Sequence, residues 1–194
     1  MERKFFPDAK IYISYNTKNF NIKYFDDIDN IEFTYFSGMD HKIGCVNGCI
    51  SSIKKSLNDD SDMIIFTHDD VIINPNYIKI INDKLEQIYN NVYDIICRKP
   101  NTYGDEYVMM EIFYISKKAA KKIFSDKDIF INENDIPRDI RQSISPEVWL
   151  GNTLKNGVNV NIIEFELNNN TYNKTLSESL GFIHKNAGTR GWKD

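Results

Sequence analysis

His68, Asp69 and Asp70 stand together directly after the run Met63-Ile64-Ile65-Phe66-Thr67. Two adjacent carboxylates supply hard oxygen donors of the kind that hold a divalent cation, and a cation so held can bind a diphosphate. The triplet therefore points to chemistry on a nucleotide-linked sugar. A solvated acid pair at a strand end is the plainer account, and a histidine in that place is often structural.

The triplet needs an element to carry it. A short run rich in β-branched and aromatic residues reads as a buried strand. Acids at its C-terminal end sit where open α/β sheets place their ligands. Val71-Ile72-Ile73-Asn74 follows, and Pro75 at an N1-like position predicts a helix to about Tyr89. Upstream, strands are predicted at 11–15 and 31–36, separated by a polar stretch with room for one helical turn. Ile43, Val46, Ile50, Ile53 and Leu57 recur at three- and four-residue steps, which makes one face of a helix ended by Asn58-Asp59-Asp60.

Downstream, strands are predicted at 93–97 and 107–115, and Ser116 can cap a helix to about Phe124. Residues 126–144 read as a charged, irregular loop. Ser145-Pro146-Glu147 has the form of an N-cap, N1 and first-turn acid, so a helix should run to about Asn156 and stop at Gly157. A last strand is expected over 158–167, followed by a tail carrying Gly181, Gly188 and Gly191. Strands alternating with helices give an α/β expectation: a mixed, mostly parallel sheet flanked by helices. With 194 residues and no internal repeat or linker, one domain is expected over 1–194. Its nucleotide-binding half is about 1–100 and its acceptor half about 101–194.

Composition excludes several classes. The net charge of −4 argues against a nucleic-acid partner held by bulk electrostatics. No apolar run approaches the ~18–20 residues of a membrane span. Met1-Glu2-Arg3-Lys4-Phe5-Phe6-Pro7 lacks the apolar core of a secretory signal, so a soluble, cytoplasmic protein is expected. Cys45, Cys49 and Cys97 are odd in number, which fits a reduced compartment and core packing. His41, His68 and His184 are too scattered for a zinc spacing signature.

Four segments, in order, resemble the GT-A glycosyltransferase fold, especially the large inverting family 2. Ile13-Ser14-Tyr15-Asn16 resembles the end of that family's first strand, and Gly44-Cys45-Val46-Asn47-Gly48-Cys49-Ile50 its Asn-containing second helix. Phe66-Thr67-His68-Asp69-Asp70-Val71 sits where the family carries Asp-x-Asp. Pro146-Glu147-Val148-Trp149-Leu150, with Leu154 and Gly157, resembles its Glu-Asp element and the following helix. The likeness covers roughly 11–166. His68 replaces the first Asp, Pro146 replaces the Glu of the Glu-Asp pair, and the interval from Leu154 to Gly157 is one residue short.

The resemblance implies a Rossmann-like GT-A domain that moves a sugar from a nucleoside-diphosphate sugar, with UDP as the expected nucleotide, to a saccharide or glycan hydroxyl. It implies Mn2+ or Mg2+ held by Asp70, with Asp69 acting through water or on the ribose. It places Glu147 on the general base, a role typically worth about 10²–10⁴ in rate. A first-turn Glu is also an ordinary helix stabiliser. His184 matches the late histidine that several such families add to the metal. Tyr15 and Asn16 would border the base, with Asp40 and Lys42 on the same side. Lys185, with Arg190 and Lys193, would close over the diphosphate, and Trp149 could wall the sugar site. Two alternatives stay open: a non-catalytic saccharide-binding or scaffold domain on this fold, and a sugar nucleotidyltransferase. The chain lacks a Gly-rich basic loop after its first strand, which counts against the latter.

Overall fold

The computed structural model describes residues 8–15, 20–35, 41–68, 71–73, 75–98, 108, 110, 112–127, 133–142, 146–163 and 182–184. For 24, 41–42, 71–73, 75–80, 83, 98, 133, 162–163 and 182–184 the backbone alone is described. Strands β1 (Ile11–Tyr15) and β2 (Ile31–Tyr35) flank a 3-10 turn at Ile22–Phe25, and α1 spans His41–Ser56. Then come β3 (Met63–Thr67), β4 (Val71–Ile73), α2 (Pro75–Tyr89), β5 (Ile95–Arg98), β6 (Ile112–Ser116) and α3 (Lys117–Phe124). A 3-10 turn at Glu133–Asp135, α4 (Arg138–Gln142), α5 (Pro146–Gly157), β7 (Val160–Ile163) and β8 (Phe182–His184) complete the order.

The central sheet runs β3-β6-β5-β7. β6 lies antiparallel to both of its neighbours, whereas β5 and β7 are parallel. β1 and β2 form a parallel pair, and β4 pairs antiparallel with β8. The expected mixed α/β architecture is present, but the described ladders are not mostly parallel: β6 runs against both of its neighbours and β4 against β8, while only β1·β2 and β5·β7 are parallel.

Side-chain alternation explains why helices cover both faces of the central sheet. On one face Ile95, Cys97, Phe113 and Ile115 join a buried cluster with Val46, Cys49, Ile50 and Ile53 of α1. Ala119, Ala120, Ile123 and Phe124 of α3, with Leu150 and Leu154 of α5, belong to the same cluster. Ile96, Ile112 and Tyr114 are buried too, but on the other face, where α2 packs against β5 and β6 and buries Ile81, Leu85 and Ile88. Cys49 and Cys97 are buried in the core, as expected, and Cys45 is half-buried. Burial pushes the Cys49 thiol well up, and the nearby Cys45 and Glu147 add to the effect.

Several boundaries differ from the sequence reading. The strand expected over 107–115 is formed over Ile112–Ser116. Val108 is buried ahead of it and donates its backbone N–H to the Gly151 carbonyl of α5 (3.3 Å) instead of a strand. The loop expected over 126–144 contains α4, which buries Ile140. Gly157 ends inside α5 rather than beyond it. The last predicted strand is described over Val160–Ile163, and β8 lies in the stretch read as a tail.

Candidate functional site

β3 ends at Thr67, and His68 follows it half-buried. Its ring meets Phe66 edge-on (5.5 Å between centroids, 84°), and Phe66 stacks on Phe113 of the core (5.2 Å, 28°). The Thr67 hydroxyl donates to the His68 carbonyl (3.1 Å). Packing thus fixes the strand end from which the acidic pair departs. Asp69 and Asp70 themselves lie outside the described residues, as do Asn16, Asp40, Lys185, Arg190 and Lys193.

The pairing of β4 with β8 is the informative geometry. Val71 is the register partner of His184, with Ile72 opposite Ile183 and Ile73 opposite Phe182. Paired residues of an antiparallel ladder have Cα atoms ~4.5–5.5 Å apart. The ladder therefore brings the backbone of His184 next to the residue that follows Asp70. Two positions more than a hundred residues apart in sequence meet at one strand tip. Among the described residues no group of three or more His, Cys, Asp or Glu side chains is disposed to hold a metal. By residue type alone, Asp69 and Asp70 offer carboxylate oxygens that suit Mn2+ or Mg2+, whereas the imidazole of His184 suits Mg2+ poorly.

Glu147 is the second residue of α5, half-buried at the helix N-terminus. α5 packs against α1, and the Glu147 carboxylate is close enough to help raise the Cys49 thiol. Trp149 lies on the same helix. Its indole N–H donates to Asp139 (3.0 Å), and the Lys127 ammonium sits 5.8 Å from its ring centre. Trp149 is thereby held among α4, α5 and the end of α3, partly packed against the core.

Tyr15 closes β1 beside its register partner Tyr35. Alternation puts Tyr15, Phe33 and Tyr35 on one side of the β1·β2 pair. Phe20 stacks on Tyr15 (4.5 Å, 24°), and Phe25 packs on both Phe20 and Phe33. One flat face of Tyr15, expected to be offered to a base, is therefore taken by Phe20. The sequence reading missed this aromatic layer. Its signal was Tyr15, Phe20 and Phe25 at five-residue steps, with Phe33 and Tyr35 alternating. Lys42 belongs to the first turn of α1, just after the C-terminal end of β2.

On its other side the β1·β2 pair receives α1. A Cβ on Gly48 would lie 3.1 Å from the Ser14 Cβ, so only glycine admits this approach without a shift. The Ser14 and Ser52 hydroxyls lock it with a 2.6 Å hydrogen bond.

A cleft of about 220 Å3 opens at the opposite end of these strands, lined by Lys10, Tyr12, Glu32, Lys55, Asn58 and Asp59. Several of its polar groups already have partners. Lys10 pairs with Glu32 (2.5 Å), Tyr12 donates to Asp59 (3.1 Å) and Lys55 to the Phe33 carbonyl (3.2 Å).

No protein-family model matches the chain, and no curated protein matches it. Among solved structures it is similar to a Bacillus anthracis protein described as a glucose-1-phosphate thymidylyltransferase, solved in complex with sucrose. The two share 13% identity at a TM-score of 0.49, over 84% of this chain and 71% of that one. A likeness that distant decides nothing about this chain's chemistry. No helix among the described residues is long and apolar enough to cross a membrane.

Proposed function

We propose that the chain acts as one domain, a metal-dependent glycosyltransferase. It moves a sugar from a nucleoside-diphosphate sugar, with UDP as the nucleotide, to a hydroxyl of a saccharide or glycan acceptor. The observation that supports this reading is the register of β4 with β8, which sets His184 against the residue after Asp70. The resemblance implies both as metal ligands, and the pairing of β4 with β8 supports that reading.

In this reading Asp70 and His184 hold Mn2+ or Mg2+, and Asp69 assists through water or on the ribose. When bound, the cation would offset the negative charge growing on the departing diphosphate. Tyr15, Asn16, Asp40 and Lys42 border the nucleoside, and Lys185 covers the diphosphate. Glu147 takes the proton from the acceptor hydroxyl as that oxygen bonds to the anomeric carbon and the bond from that carbon to the diphosphate breaks.

Thermal melting with UDP and GDP, each with and without Mn2+, is the first test. Stabilisation by a nucleoside diphosphate that requires Mn2+ supports the reading. Stabilisation by free sugars alone points instead to a saccharide-binding domain without turnover. Release of UDP from UDP-sugars, lost in Asp70→Asn, separates a transferase from a silent binder. Consumption of a nucleoside triphosphate with release of pyrophosphate would show a nucleotidyltransferase and contradict it.

A further inference from the structure

The β1·β2 pair ends in two tyrosines side by side, and they differ in what they can still bind. Tyr15 is half-buried, with one ring face stacked on Phe20 at 4.5 Å. Tyr35, its register partner, is 41% exposed and meets Tyr15 only at a tilt (5.3 Å, 42°). Phe33 meets Tyr15 edge-on (6.5 Å, 79°), and Phe20 packs against both Phe25 and Phe33. Tyr35 is the outermost ring of the set. It stands at the C-terminal tip of β2, the end of an α/β sheet where ligands bind.

An exposed aromatic ring backed by a rigid aromatic layer is a stacking platform that needs no reorganisation before a flat ligand lands on it. We infer that Tyr35, rather than Tyr15, is the residue on which the base of the nucleoside diphosphate stacks. Tyr15 acts as a positioning residue: together with Phe20 it fixes the angle of Tyr35. This rests on the nucleotide-binding reading above and adds to it the residue that recognises the base.

Isothermal titration of UDP in Mn2+ tests it on the wild-type chain, Tyr35→Ala and Tyr35→Phe, with inorganic pyrophosphate in Mn2+ as a ligand without a base. Tyr35→Ala should weaken UDP by roughly 5- to 150-fold, the range for loss of one base–aromatic stack. Pyrophosphate affinity should stay within about twofold, and Tyr35→Phe, which keeps the ring, should bind UDP within about threefold of wild type. UDP binding unchanged in Tyr35→Ala overturns the inference alone. UDP and pyrophosphate weakened equally also overturns it, because Tyr35 then only holds the site together. A wild-type chain that shows no Mn2+-dependent UDP binding overturns the functional reading and the inference together.

Discussion

The two ends of β3 are built on opposite principles. At its N-terminal end a buried cation is surrounded by acceptors. The Lys117 ammonium, at the first position of α3, donates to the carbonyls of Ser56 and Asp59, to Asp59 Oδ1 (2.6 Å) and to Ser61 Oγ (3.2 Å). Its backbone N–H donates to the Asp62 carbonyl (2.9 Å), and Tyr12 adds a bond to the other Asp59 oxygen (3.1 Å). These contacts tie α1, β1, β3 and α3 at one point. At the C-terminal end His68 rests edge-on against Phe66, and the acidic pair leads into a ladder of three residue pairs. One end satisfies its charges internally; beyond the other, the backbone of His184 pairs with Val71. The proposed reading assigns chemistry to the second end and stability to the first.

That contrast can be broken by substitution. Asp70→Asn should cut UDP release by at least about 100-fold while leaving the melting temperature within about 1–2 °C, since the two side chains are nearly identical in size and shape. A large fall in melting temperature would place Asp70 in the stability end instead. Lys117→Met should do the reverse. It removes the ammonium from Asp59 Oδ1, which keeps its bonds from Ser61, and from the Ser56 and Asp59 carbonyls, a loss of about 2–4 kcal/mol in urea unfolding. Turnover of the fraction that remains folded should be near wild type. Gly48→Ala, forced against Ser14, should cost about 1–3 kcal/mol by the same measurement.

Acid sharpens the comparison further. Burial alone would raise the Asp59 carboxyl, but hydrogen bonds from Lys117 and Ser61 outweigh it and hold it at about 2, below the ordinary 3.8. A carboxyl depressed in the folded chain contributes stability that is present above the unfolded value and lost as pH falls through the folded one. Unfolding free energy should therefore drop between about pH 4 and pH 2, and Asp59→Asn should flatten that limb. An equally steep acid limb in Asp59→Asn would assign the effect to other carboxyls. The smallest effect is expected at Ser116, whose hydroxyl accepts from the Ala119 N–H (3.1 Å) to cap α3. Ser116→Ala should cost about 1 kcal/mol.

Most of the elements were legible because their patterns are local. The apolar runs at β1 and β3, Pro75 opening α2, the Ser116 cap and the Pro146 start of α5 all fall where the sequence puts them. What was not legible depends on distant partners. A three-residue strand such as β4 or β8 has too little alternation to be seen, and each exists only because the other pairs with it. Lys117 heads the run Lys-Lys-Ala-Ala-Lys-Lys, which reads as a solvated helix, yet it is buried because α3 starts against the end of α1. α4 was hidden for the same reason: five residues with one buried Ile140 do not make a period. Of the candidate site, the chemistry-bearing residue types were readable, and the resemblance already implied Asp70 and His184 on one metal; the backbone pairing of His184 with Val71 was not readable. Nor was the stack that removes one face of Tyr15 from use.

The most direct measurement is a crystal structure grown with UDP and manganese, with the ion located by its anomalous signal. The account predicts one manganese within about 2.0–2.3 Å of an Asp70 oxygen and a His184 nitrogen, bridging to the diphosphate. Manganese bound elsewhere, with Asp69 and Asp70 turned to solvent and no contact to the diphosphate, would contradict it.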